Sequence, residues 1–276
     1  MTYRLFISIF CICLPVSIMA QNSDYTKFRE LSAGIGTMDY MNASAIPSGL
    51  PGTIYRLEYH SGNISKHNTN RSYEFVARAN YAYMLRDGLN TDLNIPYHHA
   101  EIRLGAICTQ NIPVSLPNFT LDAGLGLSLN MLAGYNPTYI YGNTYDKLYP
   151  YGNWYVSPDL HFNIKYQLNK FIFKGGFYMP LLVTGYFQEF QNAPFEVYNL
   201  SSSLNYYISP NAFAIFTNYF RFDSYLSAMY LLKKTDKIQL YLKANYTYES
   251  LNSSIHFNSE KKQKQMLSIG FVILRK

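Results

Sequence analysis

A histidine beside a serine, in His60-Ser61-Gly62-Asn63, is the first place in this 276-residue sequence where nucleophilic chemistry could begin. Acyl hydrolysis needs a serine hydroxyl within hydrogen-bond reach of an imidazole, and a third group to orient that imidazole. Neighbouring residues on an extended strand point to opposite faces, so His60 and Ser61 meet only if the chain bends at Gly62. Ser254-Ile255-His256 has the spacing that puts both groups on one face, but it falls in a polar stretch read as a loop. These four residues are weak catalytic candidates, and the chain is not expected to be an enzyme. His98-His99 diverge in the same way and have no Cys, Asp or Glu at ligand spacing. Gly124-x-Gly126-x-Ser128 lacks the third glycine and the helix start of a phosphate cradle. No metal and no cofactor are expected.

The charged residues are more informative. Arg56, Glu58, Glu74, Arg78, Glu101, Arg103, Asp122, Asp159 and Lys165 all occupy the polar phase of alternating segments, as do His161, Lys174 and Lys243. From Phe119 to Met131 one face is Phe119, Leu121, Ala123, Leu125, Leu127, Leu129 and Met131, and the other is Thr120, Asp122, Gly124, Gly126, Ser128 and Asn130. Only a period of two separates these sets, so the segment reads as a strand between two environments. The same pattern runs through Tyr73–Tyr83, Asp159–Tyr166 and Ile238–Tyr248. The expected pairs are Arg56 with Glu58, Glu74 with Arg78, and Glu101 with Arg103, as an enclosed polar face requires.

Composition and the chain start locate these strands. Charged residues are 14% and aromatic residues 17%, including 28 tyrosines, which is unlike a water-facing globule. No apolar run after Met19 is long enough for a membrane helix. Arg4 followed by an uncharged apolar stretch to Met19 and then Ala20 has the layout of a signal peptide, so residues 1–20 are expected to be removed and 21–276 to form one domain. Cys108 is then the only cysteine, and no intramolecular disulfide can form. The net charge of +6 comes from scattered basic residues and does not point to nucleic acid.

Short turns at Gln167–Lys170, Ile208–Asn211 and Lys233–Asp236 contrast with long connections over residues 41–52, 86–98, 133–153, 185–194 and 250–264. That asymmetry, with strands of about 10 residues, suits a closed antiparallel transmembrane β-barrel. About twelve strands are expected, with ten or fourteen left open.

Taken together, the signal, the alternation, the turn asymmetry and the final Leu267, Ile269, Phe271, Ile273 alternation resemble a bacterial outer-membrane β-barrel protein, with a tyrosine- and asparagine-rich style similar to barrels of the Bacteroidota. The ending Arg275-Lys276 departs from the terminal aromatic residue usual in such barrels. The outer-membrane phospholipase A family is similar in size, but its His-x-Ser-Asn-Gly pattern is absent. The resemblance implies export to the outer membrane, contact with lipid and lipopolysaccharide, and handling by the barrel-assembly machinery. A structural or ligand-binding barrel plugged by its own charges is the leading reading, a porin-like small pore the second and a lipid-modifying hydrolase the third. Tyr139, Tyr141, Tyr145, Tyr149, Tyr151 and Trp154 form a loop that could stack on a glycan or a protein partner.

Overall fold

The computed structural model describes residues 25–42, 46–65, 71–86, 95–138, 147–187, 212–215, 217–255 and 258–275, so the expected signal peptide lies outside the described residues. Among the described residues, twelve strand segments form one antiparallel sheet. They are β1 (Tyr25–Asn42), β2 (Ile46–Ser65), β3 (Arg71–Arg86), β4 (Ile95–Ile112), β5 (Phe119–Thr138), β6 (Lys147–Leu168), β7 (Phe171–Pro180), β8 (Leu182–Tyr186), β9 (Ala212–Ile215), β10 (Tyr219–Lys234), β11 (Ile238–Ile255) and β12 (Asn258–Arg275). The ladder runs from β1 through β7 to β10, β11 and β12, and β12 pairs back onto β1. Ten strands therefore close the ring, the lower of the counts the sequence left open.

The two short segments prolong ring strands. β7 pairs with β6 up to Asp159↔Pro180, and β8 resumes that pairing at Val156↔Thr184, so Leu181 marks an irregularity in one path. β9 lies along β8, with Leu182↔Ile215 and Val183↔Ala214. It leads through a turn at 217–218 into β10. The expected turn Ile208–Asn211 lies outside the described residues.

Three expected loops are corrected. Residues 41–52, 133–153 and 250–264 are mostly strand, with Asn42↔Ile46, Thr138↔Lys147 and Ile255↔Asn258 the last pairs of the three hairpins. At the other end of the barrel the turns are as short as expected. Leu168 pairs with Phe171, and Asn169 takes φ 51°, a left-handed conformation that asparagine tolerates better than most residues.

The side-chain distribution is inside out. Leu226, Leu267 and Ile269 are 68%, 66% and 65% exposed, and Leu31, Ile35, Leu57, Leu125 and Phe271 lie outward in the same band. Tyr55, Tyr81 and Tyr83 flank this band toward the loops, and Tyr166, Phe171, Phe173 and Tyr230 flank it toward the turns. Aliphatic residues between two aromatic girdles are what a lipid-facing wall requires. The buried side chains behind that wall are polar or charged, among them Glu30, Arg56, Glu58, Arg78, Glu101, Arg103, Asp159, Asp223, Lys243 and Glu249.

Candidate functional site

Each inward charge sits where strand alternation puts it, and its partners come from its own strand, from ladder neighbours and from the opposite wall. Glu249 on β11 is central. Arg56 of β2 makes a close contact with it, Arg78 of β3 lies at 2.8 Å, Lys264 of β12 at 3.2 Å and Arg221 of β10 at 3.6 Å. β3 and β11 are not ladder neighbours, so the Arg78–Glu249 bond crosses the lumen. Arg103 of β4 reaches Asp159 of β6 at 2.6 Å and Asp223 of β10 at 3.5 Å, and its guanidinium lies 3.8 Å above the Tyr178 ring. Glu101 takes Lys262 at 2.5 Å, Lys264 in a close contact and His99 Nε2 at 2.9 Å. Arg221 donates to the Tyr155 hydroxyl at 2.7 Å.

The within-strand pairs expected from sequence are corrected. Arg78 bonds Glu58 and Glu249 rather than Glu74, and Glu101 bonds two lysines of β12 rather than Arg103. The physical reason is reach. Glu58 stands directly opposite Arg78 across the β2–β3 ladder and the lysines of β12 reach Glu101 from the facing wall, whereas Glu74 lies four residues from Arg78 on its own strand. Glu74 is held by His60 Nδ1 at 2.5 Å, and Asp122 accepts from Asn111 at 3.1 Å. Glu30, Arg221, Asp223, Glu249, Lys262 and Lys264 were missed by the sequence reading.

Loop-side of this belt the lumen is apolar. Met38, Tyr40, Leu50, Ile54, Ala82, Met84, Tyr97 and Met266 form one packed cluster. Leu132, Tyr155, Val183, Phe187, Ala214, Tyr219, Leu251 and Ile255 form a second. Turn-side of it lies a cavity of about 380 Å³ whose lining includes Glu30, His60, Glu74, Asp122, His161, Lys165, Lys174 and Lys243. A third apolar cluster of Ile172, Met229, Tyr241 and Val272 borders that cavity.

The remaining candidates separate. His60 faces the lumen with Nε2 2.7 Å from Glu58, while Ser61 lies on the other face and pairs in register with Phe75. Ser254 is exposed on β11, and His256 lies outside the described residues. His98 hydrogen-bonds the Tyr81 hydroxyl at 2.7 Å on the outer face, and His99 is buried inside. Glu30, Glu58 and His60 bring ligand-type atoms within 4.8 Å of one another, but Lys243 lies 2.5 Å from Glu30 and His60 is bonded at both nitrogens. Tyr139, Tyr141 and Tyr145 lie outside the described residues, as do the side chains of Tyr149 and Tyr151. Trp154 is part of β6 and pairs in register with Met131.

No family model matches this sequence, and no curated protein matches it. Among solved structures, the translocator domain of the autotransporter NalP from Neisseria meningitidis is 9% identical, with 100% of this chain and 97% of that chain covered and a TM-score of 0.45. The transport unit of the autotransporter AIDA-I from Escherichia coli is 7% identical over 94% of this chain and 92% of that one, with a TM-score of 0.46. The outer membrane protein OprG from Pseudomonas aeruginosa is 12% identical over 91% and 95%, with a TM-score of 0.34. This chain is a closed antiparallel β-barrel of the outer-membrane kind. Its ladder closure, apolar exterior and charged interior define it as such.

Proposed function

We propose that the protein resides in a bacterial outer membrane and serves there as a structural or ligand-binding barrel whose lumen is closed to solutes. The observation that carries this reading is the ion-paired belt reaching from wall to wall through Arg78–Glu249, Arg103–Asp159 and Lys264–Glu101. A pore would keep such side chains apart along its walls, solvated by the water between them. Here six cations, Arg56, Arg78, Arg103, Arg221, Lys262 and Lys264, meet the six carboxylates Glu58, Glu101, Asp159, Asp223, Glu249 and Glu260. Two apolar clusters close the loop-side half behind them. Lipid contacts the outward band, lipopolysaccharide its loop-side edge, and the barrel-assembly machinery inserts the chain.

Planar-bilayer recording tests the proposal. Purified protein, verified as folded by a mobility shift between unboiled and boiled samples, is expected to give no stepwise conductance. Stable steps from the wild-type protein would replace the closed reading with a pore.

A further inference from the structure

The turn-side cavity is more than the space left under the belt. Lys165 of β6 and Lys174 of β7 are directly opposed cross-strand neighbours, and both line it. Like charges in that position repel each other, and no ion pair or hydrogen bond joins either lysine to a carboxylate among the described residues. Asp122 on the neighbouring strand β5 lines the same wall and carries the opposing charge. Glu74, which lines the same cavity, is taken by His60, so at this wall two lysines stand against one aspartate and one positive charge is in excess.

Two residues that line the same space each carry a buried polar atom without a hydrogen-bond partner. His161 lies on the same face of β6 as Lys165, is 6% exposed, and has no hydrogen bond at Nε2. Asn245 on β11 likewise has an unpartnered Oδ1. The room for His161 comes from Gly126, where a Cβ would stand 2.7 Å from Nε2. Beside Lys174, Ile172 begins the apolar cluster that continues through Met229, Tyr241 and Val272. Cations, orphaned polar atoms and an apolar wall therefore adjoin in a space of about 380 Å³, within the roughly 300–1,000 Å³ typical of small-molecule sites.

We propose that this cavity binds a small monocarboxylate with an apolar body, entering from the turn side, its carboxylate between Lys165 and Lys174 and its body against Ile172, Met229 and Val272. One excess charge matches a monoanion better than a dianion. Water would solvate the two lysines but gain nothing from the apolar wall of Ile172, Met229 and Val272. The site rests on the closed-lumen reading, because the belt residues Arg78, Arg103 and Glu249 form its ceiling.

The test is calorimetric titration of the full mature barrel in lipid nanodiscs with decanoate, using empty nanodiscs as the baseline. Saturable binding is expected, with decanol and acetate each at least 10-fold weaker because each lacks one half of the recognised chemistry. Lys165→Gln/Lys174→Gln should weaken decanoate at least 10-fold, while Lys261→Gln on the outer face should not. Equal affinity for decanol, tighter binding of decyl phosphate than of decanoate, or an unaffected double variant each overturns the proposal. Conductance measured on the same preparations keeps the two readings apart. A silent barrel that does not bind decanoate refutes the site alone, and a conducting one refutes the closure.

Discussion

Glu249→Gln removes one negative charge from the middle of the belt while keeping the shape of the side chain. Four cations face that carboxylate, at 2.8 Å for Arg78, 3.2 Å for Lys264, 3.6 Å for Arg221 and in close contact for Arg56. The balance of six against six becomes six against five, and the amide turns an N–H toward groups that can only donate. Glu249 is 4% exposed, so water cannot replace the lost charge without opening the lumen. Stranding one side of a buried ion pair typically costs about 3–5 kcal/mol, whereas an exposed pair is worth about 0–1 kcal/mol. At roughly 2–4 °C per kcal/mol for a domain of this size, the buried case lowers the unfolding midpoint by roughly 6–20 °C. The midpoint is read from the loss of heat-modifiable gel mobility, with circular dichroism in detergent as a second probe. Arg56→Met combined with Glu249→Met should recover part of the loss, since one cation then no longer lacks its partner. A shift of less than roughly 4 °C, with conductance unchanged, would mean that these charges are solvated and that the belt does not hold the barrel closed.

Arg103→Ala strands Asp159 and leaves Asp223 to Arg221 alone, and should lower the midpoint or raise conductance in planar bilayers, whereas the outward Leu267→Ala should leave conductance unchanged. An Arg103→Ala barrel with wild-type stability and no current would count against the belt. Asn169→Val forces a branched side chain into φ 51° and should cost about 1–2 kcal/mol in thermal melts, while Asn169→Gly should be near neutral. Equal melting of the two variants would show that the turn is not held in this conformation. In a Cys108→Ser background, Asp39→Cys and Gln263→Cys should react with a membrane-impermeant maleimide on intact cells, and Ile269→Cys should not. Equal labelling at all three positions would misplace the membrane edge.

The alternation of β3, β5 and β11 was legible because each strand keeps its two residue classes on opposite faces for ten residues or more. What the sequence hid follows from how a barrel is built. Glu249 continues the inward phase of Lys243, Asn245 and Thr247, and would have been found by extending that phase one step past Tyr248. Lys262 and Lys264 continue the inward phase of β12, but their stretch is so polar that it resembles a loop. Arg221 and Asp223 follow the interruption between β9 and β10, and the flanking Phe220 and Phe222 blur the phase there. Pairing was less legible than placement. Alternation tells which face a charge occupies, but a bond such as Arg78–Glu249 depends on the width of the closed ring, which no local pattern encodes.

The polar stretches mistaken for loops also mark where the barrel leaves the membrane. Along β1 the outward residues run Leu31, Ala33, Ile35 and then Thr37 and Asp39, while the inward ones run Glu30 and Ser32 and then Met38 and Tyr40. β12 makes the outward half of that exchange in reverse order: outward Lys261, Gln263 and Gln265 give way to Leu267, Ile269 and Phe271, while Lys262 and Lys264 stay inward on the loop side. The ladder aligns these exchanges, because Thr37 pairs with both Gln265 and Thr53, and Thr53 pairs with the girdle residue Tyr83. Such a line cannot arise from packing alone, since each strand would be free to exchange faces at its own height. It requires that the surroundings change from lipid to water at one level around the wall. Below that level the exterior must be apolar; above it the exterior must be polar, and the interior takes in the apolar clusters around the buried lysines of β12. The same strands thus form a membrane barrel at one end and a water-facing barrel at the other, with the ion-paired belt near the boundary between the two kinds of interior.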